Sequence, residues 1–338
     1  MSEYFLRTLF VHTPGTRLVL QGDAVRALRD DMPPRRLPLN AIDSIVVLGG
    51  VEVSTPLIVR CAEDGRTVAF LSRYGKPRAV VEGPFVGRGQ LRQLQHGLHA
   101  AADKRASVAR VLVAGKIRQM AWGLRQWARD AKEPEAQRLI KVATDVEADI
   151  ARLEGVHREA ALGIEGIATR RYYQGVAIAL KASEFAGRNR RPPTDPVNAV
   201  LSFLYGMTRV AVHGATHAAG LDPYCGFLHG DKDSQPSLVL DLMEEFRPSA
   251  DRLAVVLLNR RQLRQEHFAR SVSGATSLTD TGREIVMDNW HQHRMRQAHV
   301  KSARLTIPNA ALPIMQANSF ANALRSGTAY DCHELVIR

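Results

Sequence analysis

The stretch EGPFVGRGQ, residues 82–90, separates two parts of the sequence that have different patterns. It contains three glycines and one proline among few residues that favour helices or strands, as is typical of a connection. Before it lie short β-branched runs such as AIDSIVVLGGVEVS (41–54), and after it long segments with helical spacing. We therefore predict a first domain over 1–82, a linker over 83–90 and a second domain over 91–338.

The first domain has the pattern of a small sheet with one helix. Runs such as TRLVLQG (16–22) and RTVAFLS (66–72) are typical of strands bounded by turns. Between them, TPLIVRCAEDG (55–65) has helical spacing, with Thr55 predicted as the cap, a proline at the first helical position and Gly65 at the end. The second domain, rich in Ala, Leu, Arg, Gln and Glu, is predicted to be all-α. The expected fold class is α+β, with the catalytic residues in the helical domain.

Composition indicates a cytoplasmic protein that binds a polyanion. Lys plus Arg number 46 and Asp plus Glu 34, which gives a formal net charge of +12. Such a surface attracts nucleic acid or anionic membrane. No apolar run is long enough to span a bilayer, and the first residues lack signal-peptide organisation. The three cysteines are far apart, which suits a reducing compartment. We therefore expect nucleic acid as the partner, and no membrane.

The stretch GFLHGDKDSQPSLVLDLMEEFRP (226–248) combines one histidine with five carboxylates. Pro236 and Ser237 predict a helix start and Pro248 its end, so LVLDLMEEFR forms about three turns. Its apolar residues sweep one arc and its acidic residues gather on the other side, as on an amphipathic surface helix. From this segment alone, a solvated acidic face is the default interpretation.

His229 supports a second interpretation of that stretch. A histidine shortly before an acidic helix can add a nitrogen to a divalent ion held by carboxylate oxygens. Asp241 and Glu244, three residues apart, are then the acidic members of the site. The remaining carboxylates are interpreted as turn residues, Asp231 and Asp233, and as a solvated neighbour, Glu245.

Several motifs, in order along essentially the whole chain, resemble one known family. GFLH followed by LVLDLMEEFRP resembles the signature of the CRISPR-associated integrase and endonuclease that, with a small partner, inserts new spacers into CRISPR arrays. IEGIATRRYY (164–173) resembles its first acidic motif, and DPVNAVLSFLYGM (195–207) its Asn-containing helix. N-terminal segments such as TPGTRL (13–18) resemble its β-domain and suggest the type I-C branch.

The resemblance implies a metal site and a reaction. Glu165, His229 and Glu244 are implied as ligands of Mg²⁺ or Mn²⁺, with Asp241 as a further catalytic residue. Without the resemblance, Glu165 would be interpreted as a solvated glutamate on a helix. The flanking Gly163 and Gly166 each cost about 1 kcal/mol relative to Ala in a helix, which favours a close approach of backbone or DNA. The implied activity is metal-dependent cleavage of DNA and transesterification by a 3′ hydroxyl.

The implied partners are double-stranded DNA, from the foreign fragment and the CRISPR repeat, a second copy of the chain, and a small ferredoxin-like protein that completes a heterohexamer. Predicted DNA contacts are Arg170, Arg171, Tyr173, Asn198, Arg190, Arg191 and Arg247. A basic helix face remains an alternative for the arginines, and a role at the helix start after Asp195 for Asn198.

Two other functions stay open from the residues themselves. One is a metal-dependent nuclease that acts on branched or single-stranded DNA outside spacer acquisition. The other is a non-catalytic DNA-binding scaffold.

Overall fold

The computed structural model describes residues 8–73, 75–83, 89–181, 185–189, 192–230, 235–332 and 335–337. The chain forms two compact units, residues 1–88 and 89–338. In the described part of the chain, no helix has both the length and the apolar character needed to cross a membrane. All three cysteines are buried free thiols.

The first unit contains eight strands and one helix among its described residues. They are β1 (Thr8–Val11), β2 (Arg17–Gln21), β3 (Ala24–Arg29), β4 (Met32–Pro38), β5 (Ser44–Leu48), β6 (Glu52–Val53), α1 (Thr55–Glu63), β7 (Thr67–Leu71) and β8 (Pro77–Val81). One sheet has the order β1-β5-β7-β8 and the other β4-β3-β2-β6. In the first sheet β1, β5 and β7 are parallel and β8 is antiparallel.

Apolar alternation and helix spacing explain this core. Leu57 and Cys61, one turn apart on α1, are fully buried with Ile45 and Val47 of β5 in one cluster. The cap lies one residue earlier than predicted, because Ser54 precedes the helix and Thr55 is already helical.

The second unit is largely helical, which confirms the expected fold class. Its helices are α2 (Gly89–Ala100), α3 (Ala102–Asp130), α4 (Glu135–Ala148), α5 (Arg158–Ala179), α6 (Pro196–Ala219), α7 (Ser237–Met243), α8 (Arg247–Asn259), α9 (Asp280–Met295) and α10 (Leu312–Ser326). It also contains short strands that the sequence did not predict: β9 (Phe268–Arg270), β10 (Thr276–Leu278), β11 (Gln297–Val300), β12 (Leu305–Pro308) and β13 (Leu335–Ile337). They form a two-stranded hairpin and a three-stranded sheet in the order β12-β11-β13.

Helix α3 is the element on which the site is built. It packs against α4 and α5 on one side, and against α8 and the 3-10 turn Glu244–Phe246 on another. Gly115 permits this close packing, since a Cβ there would lie 2.7 Å from both Glu245 Oε1 and Cys332 Sγ. The side chains of α3, α5 and the 3-10 turn can therefore meet.

The predicted helix over LVLDLMEEFR is divided in the structure. α7 ends at Met243, a 3-10 turn follows, and α8 begins at Arg247. The prediction that Pro248 ends a helix was wrong, because Pro248 lies in the first turn of α8. Proline suits that position since the N–H that it lacks has no partner within the first turn.

Candidate active site

Two glutamates from different elements meet at one buried lysine. Glu165 lies in the middle of α5 and Glu244 opens the 3-10 turn. The ammonium of Lys116, on α3, forms ion pairs with Glu165 Oε1 and, at 2.7 Å, with Glu244 Oε2. The Lys116 side chain is 5% exposed, Glu244 4% and Glu165 18%. The only carboxylate of this pair with appreciable access to solvent is therefore Glu165.

His229 lies beside this pair. Its Nε2 is 3.8 Å from Glu244 Oε1, and its Nδ1 is 2.7 Å from Asp241 Oδ1. Because the Asp241 oxygen accepts this bond, Nδ1 donates to it, and Nε2 faces Glu244. The structure thus places His229 next to Glu244, and Glu244 shares the Lys116 ammonium with Glu165.

Asp241 is fully buried and holds the histidine loop. One oxygen accepts the backbone N–H groups of Phe227 and Leu228, and the other accepts the backbone and ring N–H of His229. These four bonds use its acceptor capacity, so this geometry makes Asp241 a positioning residue for His229.

The histidine loop is also anchored from α2. Gln95 donates to the carbonyls of Asp222 and Cys225, each at 2.9 Å, and His99 Nδ1 donates to the carbonyl of Gly226 at 2.6 Å. A Cβ on Gly226 would lie 2.6 Å from Ser237 Cβ and 2.7 Å from its carbonyl carbon. The loop therefore lies tightly against the start of α7.

Arg247 links the acidic site to a buried tyrosine pair. Its Nε donates to Glu244 Oε1 at 2.7 Å, and its guanidinium lies 4.7 Å from the ring centre of Tyr205. The hydroxyls of Tyr205 and Tyr173 are 2.8 Å apart, and Tyr205 donates to Asp251. A series of contacts thus leads from Glu244, through Arg247 and Tyr205, to a buried aspartate of α8.

The local charges determine the protonation of the site. Burial disfavours the charged form of Glu244, but the positive charges of Arg247 and Lys116 outweigh it and lower its pKa to about 2. Burial would lower the pKa of Lys116, yet the negative charges of Glu244 and Glu165 raise it overall. Burial likewise opposes charge on His229, but the bond to Asp241 raises the His229 pKa above its ordinary value. Glu244 is therefore ionised at neutral pH.

The predicted solvated acidic face is wrong. Asp241, Glu244 and Glu245 are 0%, 3% and 1% exposed. Glu245, predicted as a solvated neighbour, accepts a hydrogen bond from Gln316, and burial raises its pKa to about 7. The amphipathic pattern failed because packed helices also cover this side of the segment. Asp231 and Asp233 lie outside the described residues.

The predicted DNA contacts have different environments. Arg170 is exposed, whereas Arg171 donates to the carboxylate of Asp149. Tyr173 is buried, and Arg247 is paired with Glu244 as described above. Arg190 and Arg191 lie outside the described residues. The direct DNA contacts remain predictions.

Asn198 is fully buried at the start of α6. Asp195 caps the helix by accepting the Asn198 N–H at 2.8 Å. The Asn198 amide donates to the carbonyl of Gly187 and accepts from Arg188 at 2.6 Å. The residue therefore ties the segment 185–189 to α6, and any DNA contact would require that segment to move.

A groove opens along α5, and Thr169, which donates to Glu165, is part of its lining. It has a volume of about 710 Å³ and is lined by α5 and the segment 185–189, including Gly166, Arg170 and Arg188. Cβ atoms added at Gly163 and Gly166 would meet nothing within 4 Å among the described residues. The expected close approach of another backbone is therefore not the reason for these glycines, and the space beside Gly166 is open to a ligand.

Sequence reasoning missed Lys116, although a signal was present. The lysine lies in RVLVAGKIRQM (110–120), where Leu112, Val113 and Met120 occupy the same helix face and are buried. A lysine on an apolar face is stable only if it is paired, so this pattern predicts buried carboxylate partners. It does not say which ones.

The donor set at this site suits a divalent cation such as Mg²⁺ or Mn²⁺. Two carboxylates and an imidazole with an available Nε2 are typical ligands. Glu244 Oε2 is buried and, despite its ion pair with Lys116, has no well-aligned hydrogen bond. In the described part of the chain, no three His, Cys, Asp or Glu side chains converge closely enough to coordinate an ion as they stand. The Lys116 ammonium lies against one oxygen of each of the two glutamates.

Sequence comparisons give a clear family. The profile described as "CRISPR associated protein Cas1" matches residues 9–292. "CRISPR-associated endonuclease Cas1 2" of Rhodospirillum rubrum is 38% identical over 331 residues, with 95% of each chain covered. "CRISPR-associated endonuclease Cas1 1" of Moorella thermoacetica is 35% identical over 327 residues, again with 95% of each covered.

Solved structures show the same fold. "Casposase bound to integration product" aligns with a TM-score of 0.84 at 19% identity and covers 96% of this chain and 92% of its own. "Cas6-RT-Cas1--Cas2 complex" aligns with a TM-score of 0.80 at 19% identity, covering 97% of this chain and 36% of the other. The chain therefore belongs to the Cas1 family of CRISPR-associated endonucleases, the nuclease and integrase enzymes of spacer integration.

Proposed function

We propose that this chain inserts short foreign DNA fragments into a CRISPR array by metal-dependent transesterification. The 3′ hydroxyl oxygen of the fragment forms a new bond to a phosphorus of the repeat. The bond from that phosphorus to the repeat's own 3′ oxygen breaks; the attacking hydroxyl loses its proton to solvent and the departing oxygen takes one up, so no net proton is consumed. With water as the nucleophile, the same exchange gives a nick. The observation that carries the proposal is that Glu165 and Glu244 meet at Lys116, with His229 next to Glu244. Thr169, which donates to Glu165, lines an open groove together with exposed Arg170.

The three residues would hold Mg²⁺ or Mn²⁺. When bound, the ion supplies Lewis-acid activation and neutralises charge on the reacting phosphate. Asp241 keeps the His229 ring oriented, with Nε2 towards Glu244. Arg247 neutralises part of the charge of Glu244. The arginines that line the groove, Arg170 and Arg188, reduce the repulsion between the acidic site and DNA. Phosphoryl transfer depends mainly on such positioning and charge, so a separate side-chain base is not required.

The proposed partners follow the family. We propose a homodimer, formed through the β-rich unit, and a heterohexamer completed by a small ferredoxin-like CRISPR-associated protein. The structural neighbour named as a Cas1–Cas2 complex and the neighbour bound to an integration product support this assembly and a DNA substrate. Membership of the type I-C branch and a cytoplasmic location are further proposals, supported by the N-terminal segments and by the free thiols.

An integration assay tests the function. A short duplex is incubated with a supercoiled array plasmid, Mn²⁺, the chain and its small partner, and branched products are mapped by sequencing. We expect products at the repeat with the wild type and none with Glu165→Ala, His229→Ala or Glu244→Ala, while folding and most DNA binding persist.

A fragment ending in a 3′ dideoxy nucleotide is the matched control, because it removes the nucleophile and leaves the protein unchanged. It should abolish joining but not nicking. Nicking without any joined product from the normal fragment would indicate a nuclease outside spacer acquisition. Full activity of His229→Ala would exclude the ligand assignment.

A further inference from the structure

Lys116 is a buried cation that the proposed reaction does not use. Its side chain is 5% exposed, and its helix neighbours Leu112, Val113 and Met120 are buried apolar residues. A lysine is costly to bury unless its charge is paired. Here the pairing is supplied by two carboxylates that come from α5 and from the 3-10 turn. The lysine is therefore held by the acidic site.

The two glutamates in turn depend on a cation between them. Both direct an oxygen at the Lys116 ammonium, and without a positive charge there the two carboxylates would repel each other inside the protein. Arg247 does not replace Lys116, since its bond reaches Glu244 Oε1. Thr169 donates to Glu165 Oε1 at 2.9 Å but carries no charge.

A divalent ion and the Lys116 ammonium would be held by the same two carboxylate groups. Glu165 and Glu244 would hold the ion together with His229, and a divalent ion held by these carboxylates would repel the Lys116 ammonium that lies against both of them. Glu244 Oε2 lies 2.7 Å from the ammonium, so binding of an ion to this oxygen requires the ammonium to move away from it. The flexible four-carbon stem of lysine lets the ammonium move while the stem remains packed.

We propose that Lys116 is the resident counter-ion of the acidic site: it holds Glu165 and Glu244 together without metal and competes with the divalent ion for the two carboxylates. The inference rests on the proposed function, because it takes both glutamates as metal ligands. Lys116 is a positioning residue that sets the metal affinity of the site and protects the empty carboxylate pair from mutual repulsion.

Titration with Mn²⁺ alone, without DNA, tests this competition. The affinities of wild type, Lys116→Met and Lys116→Gln are measured by calorimetry and by the electron paramagnetic resonance signal of unbound Mn²⁺. We expect Lys116→Met to bind Mn²⁺ at least about tenfold more tightly, because a competing charge is removed. Lys104→Gln, an exposed lysine on the same helix, is the control for net charge and should bind as the wild type does.

Melting temperature gives a second readout. In EDTA, Lys116→Met should melt below the wild type, because the carboxylates lose their counter-ion, and Mn²⁺ should raise its melting temperature by more than it raises that of the wild type. Lys116→Gln keeps a donor for one carboxylate, so it provides the same comparison if Lys116→Met does not fold in EDTA.

The outcomes separate the two proposals. Equal or weaker Mn²⁺ binding by both lysine variants, with clear binding by the wild type, overturns the role of Lys116 and leaves the ligand assignment intact. Loss of wild-type binding in Glu165→Gln supports that assignment. If neither the wild type nor the lysine variants bind Mn²⁺, both the metal-ligand assignment and the role proposed for Lys116 are overturned.

Discussion

Asp241 and Asp251 are both fully buried carboxylates, but they have different numbers of partners. Asp241 accepts four hydrogen bonds from the histidine loop. Asp251 accepts from Tyr205 in an environment where burial raises its pKa to about 6. Donors surround the carboxylate of Asp241, whereas burial raises the pKa of Asp251. Substitution by asparagine should therefore weaken metal binding at position 241, whereas at position 251 it should change how stability depends on pH.

Asp241→Asn should weaken metal binding. The amide group replaces one acceptor oxygen by a donor, which then faces N–H groups of the loop, and His229 loses its fixed orientation. We expect about 10- to 100-fold lower Mn²⁺ affinity, the usual effect of removing a partner of a ligand histidine. Glu245→Gln is the control, since it makes the same exchange at an equally buried position that contacts Gln316. Equal losses in both variants would exclude an effect through His229.

The free energy of unfolding of Asp251→Asn, compared with that of the wild type, should increase as the pH rises. The pKa of Asp251 is about 6 when folded, against an ordinary 3.8, so the folded state retains its proton in that interval and the unfolded state does not. As the pH rises from about 4 to about 6, the free energy of unfolding of the wild type should therefore decrease, by an amount on the order of 3 kcal/mol at most.

The measurement is the free energy of unfolding in urea from pH 4 to pH 8. The difference between Asp251→Asn and wild type should grow through pH 6 and then level off. The asparagine keeps an oxygen that can accept from Tyr205, so the bond itself is preserved. A difference independent of pH would show that Asp251 does not titrate in this range.

Individual site residues were predictable to different degrees. Local spacing connected His229 with Asp241 and Glu244, because they share one segment. Glu165 required the family resemblance, since nothing local joins it to residues more than sixty positions later. Lys116 could have been recognised as buried, but its partners depend on how α3, α5 and the 3-10 turn pack.

At the scale of elements, the histidine loop depends on a glycine that touches α7. Gly226→Ala would place a Cβ against Ser237 and 2.9 Å from Asp241 Oδ2, so the loop or the helix must shift. We expect a loss of about 1 to 3 kcal/mol in the free energy of unfolding, as for other overpacked sites, together with weaker Mn²⁺ binding.

Gly230→Ala is the matched control in the same motif. A Cβ there would meet nothing within 4 Å among the described residues, so stability should stay within about 0.5 kcal/mol of the wild type. Chemical denaturation and Mn²⁺ titration of both variants make the comparison. Similar effects at the two glycines would argue against close packing as the reason for Gly226.

Element boundaries were less predictable than element types. Pro248 fits the end of one helix or the start of the next, and only packing decided for the start of α8. The strands β9 to β13 have three or four residues each, too few for a periodic pattern to be recognised. The long α3 and α5 had several turns of consistent spacing.

At the scale of the whole chain, the change in pattern around 82–90 was sufficient to predict an α+β fold. A sheet-rich unit and a largely helical unit follow from periods of two and of 3.6 residues, which do not depend on tertiary detail. Net charge also belongs to this scale, because an excess of 12 positive charges acts on any polyanion before specific contacts form.

DNA binding should therefore depend strongly on salt, and Arg170 should contribute to that dependence. Arg170 is exposed beside the groove along α5, where it can neutralise one phosphate. Arg170→Gln should make the slope of log K against log salt concentration shallower by about 0.9 and should weaken binding to all duplex sequences alike. Lys141→Gln removes the same charge from an exposed site on α4. Fluorescence anisotropy with a short duplex at several salt concentrations gives both slopes, and equal slopes would mean that Arg170 contributes only to net charge.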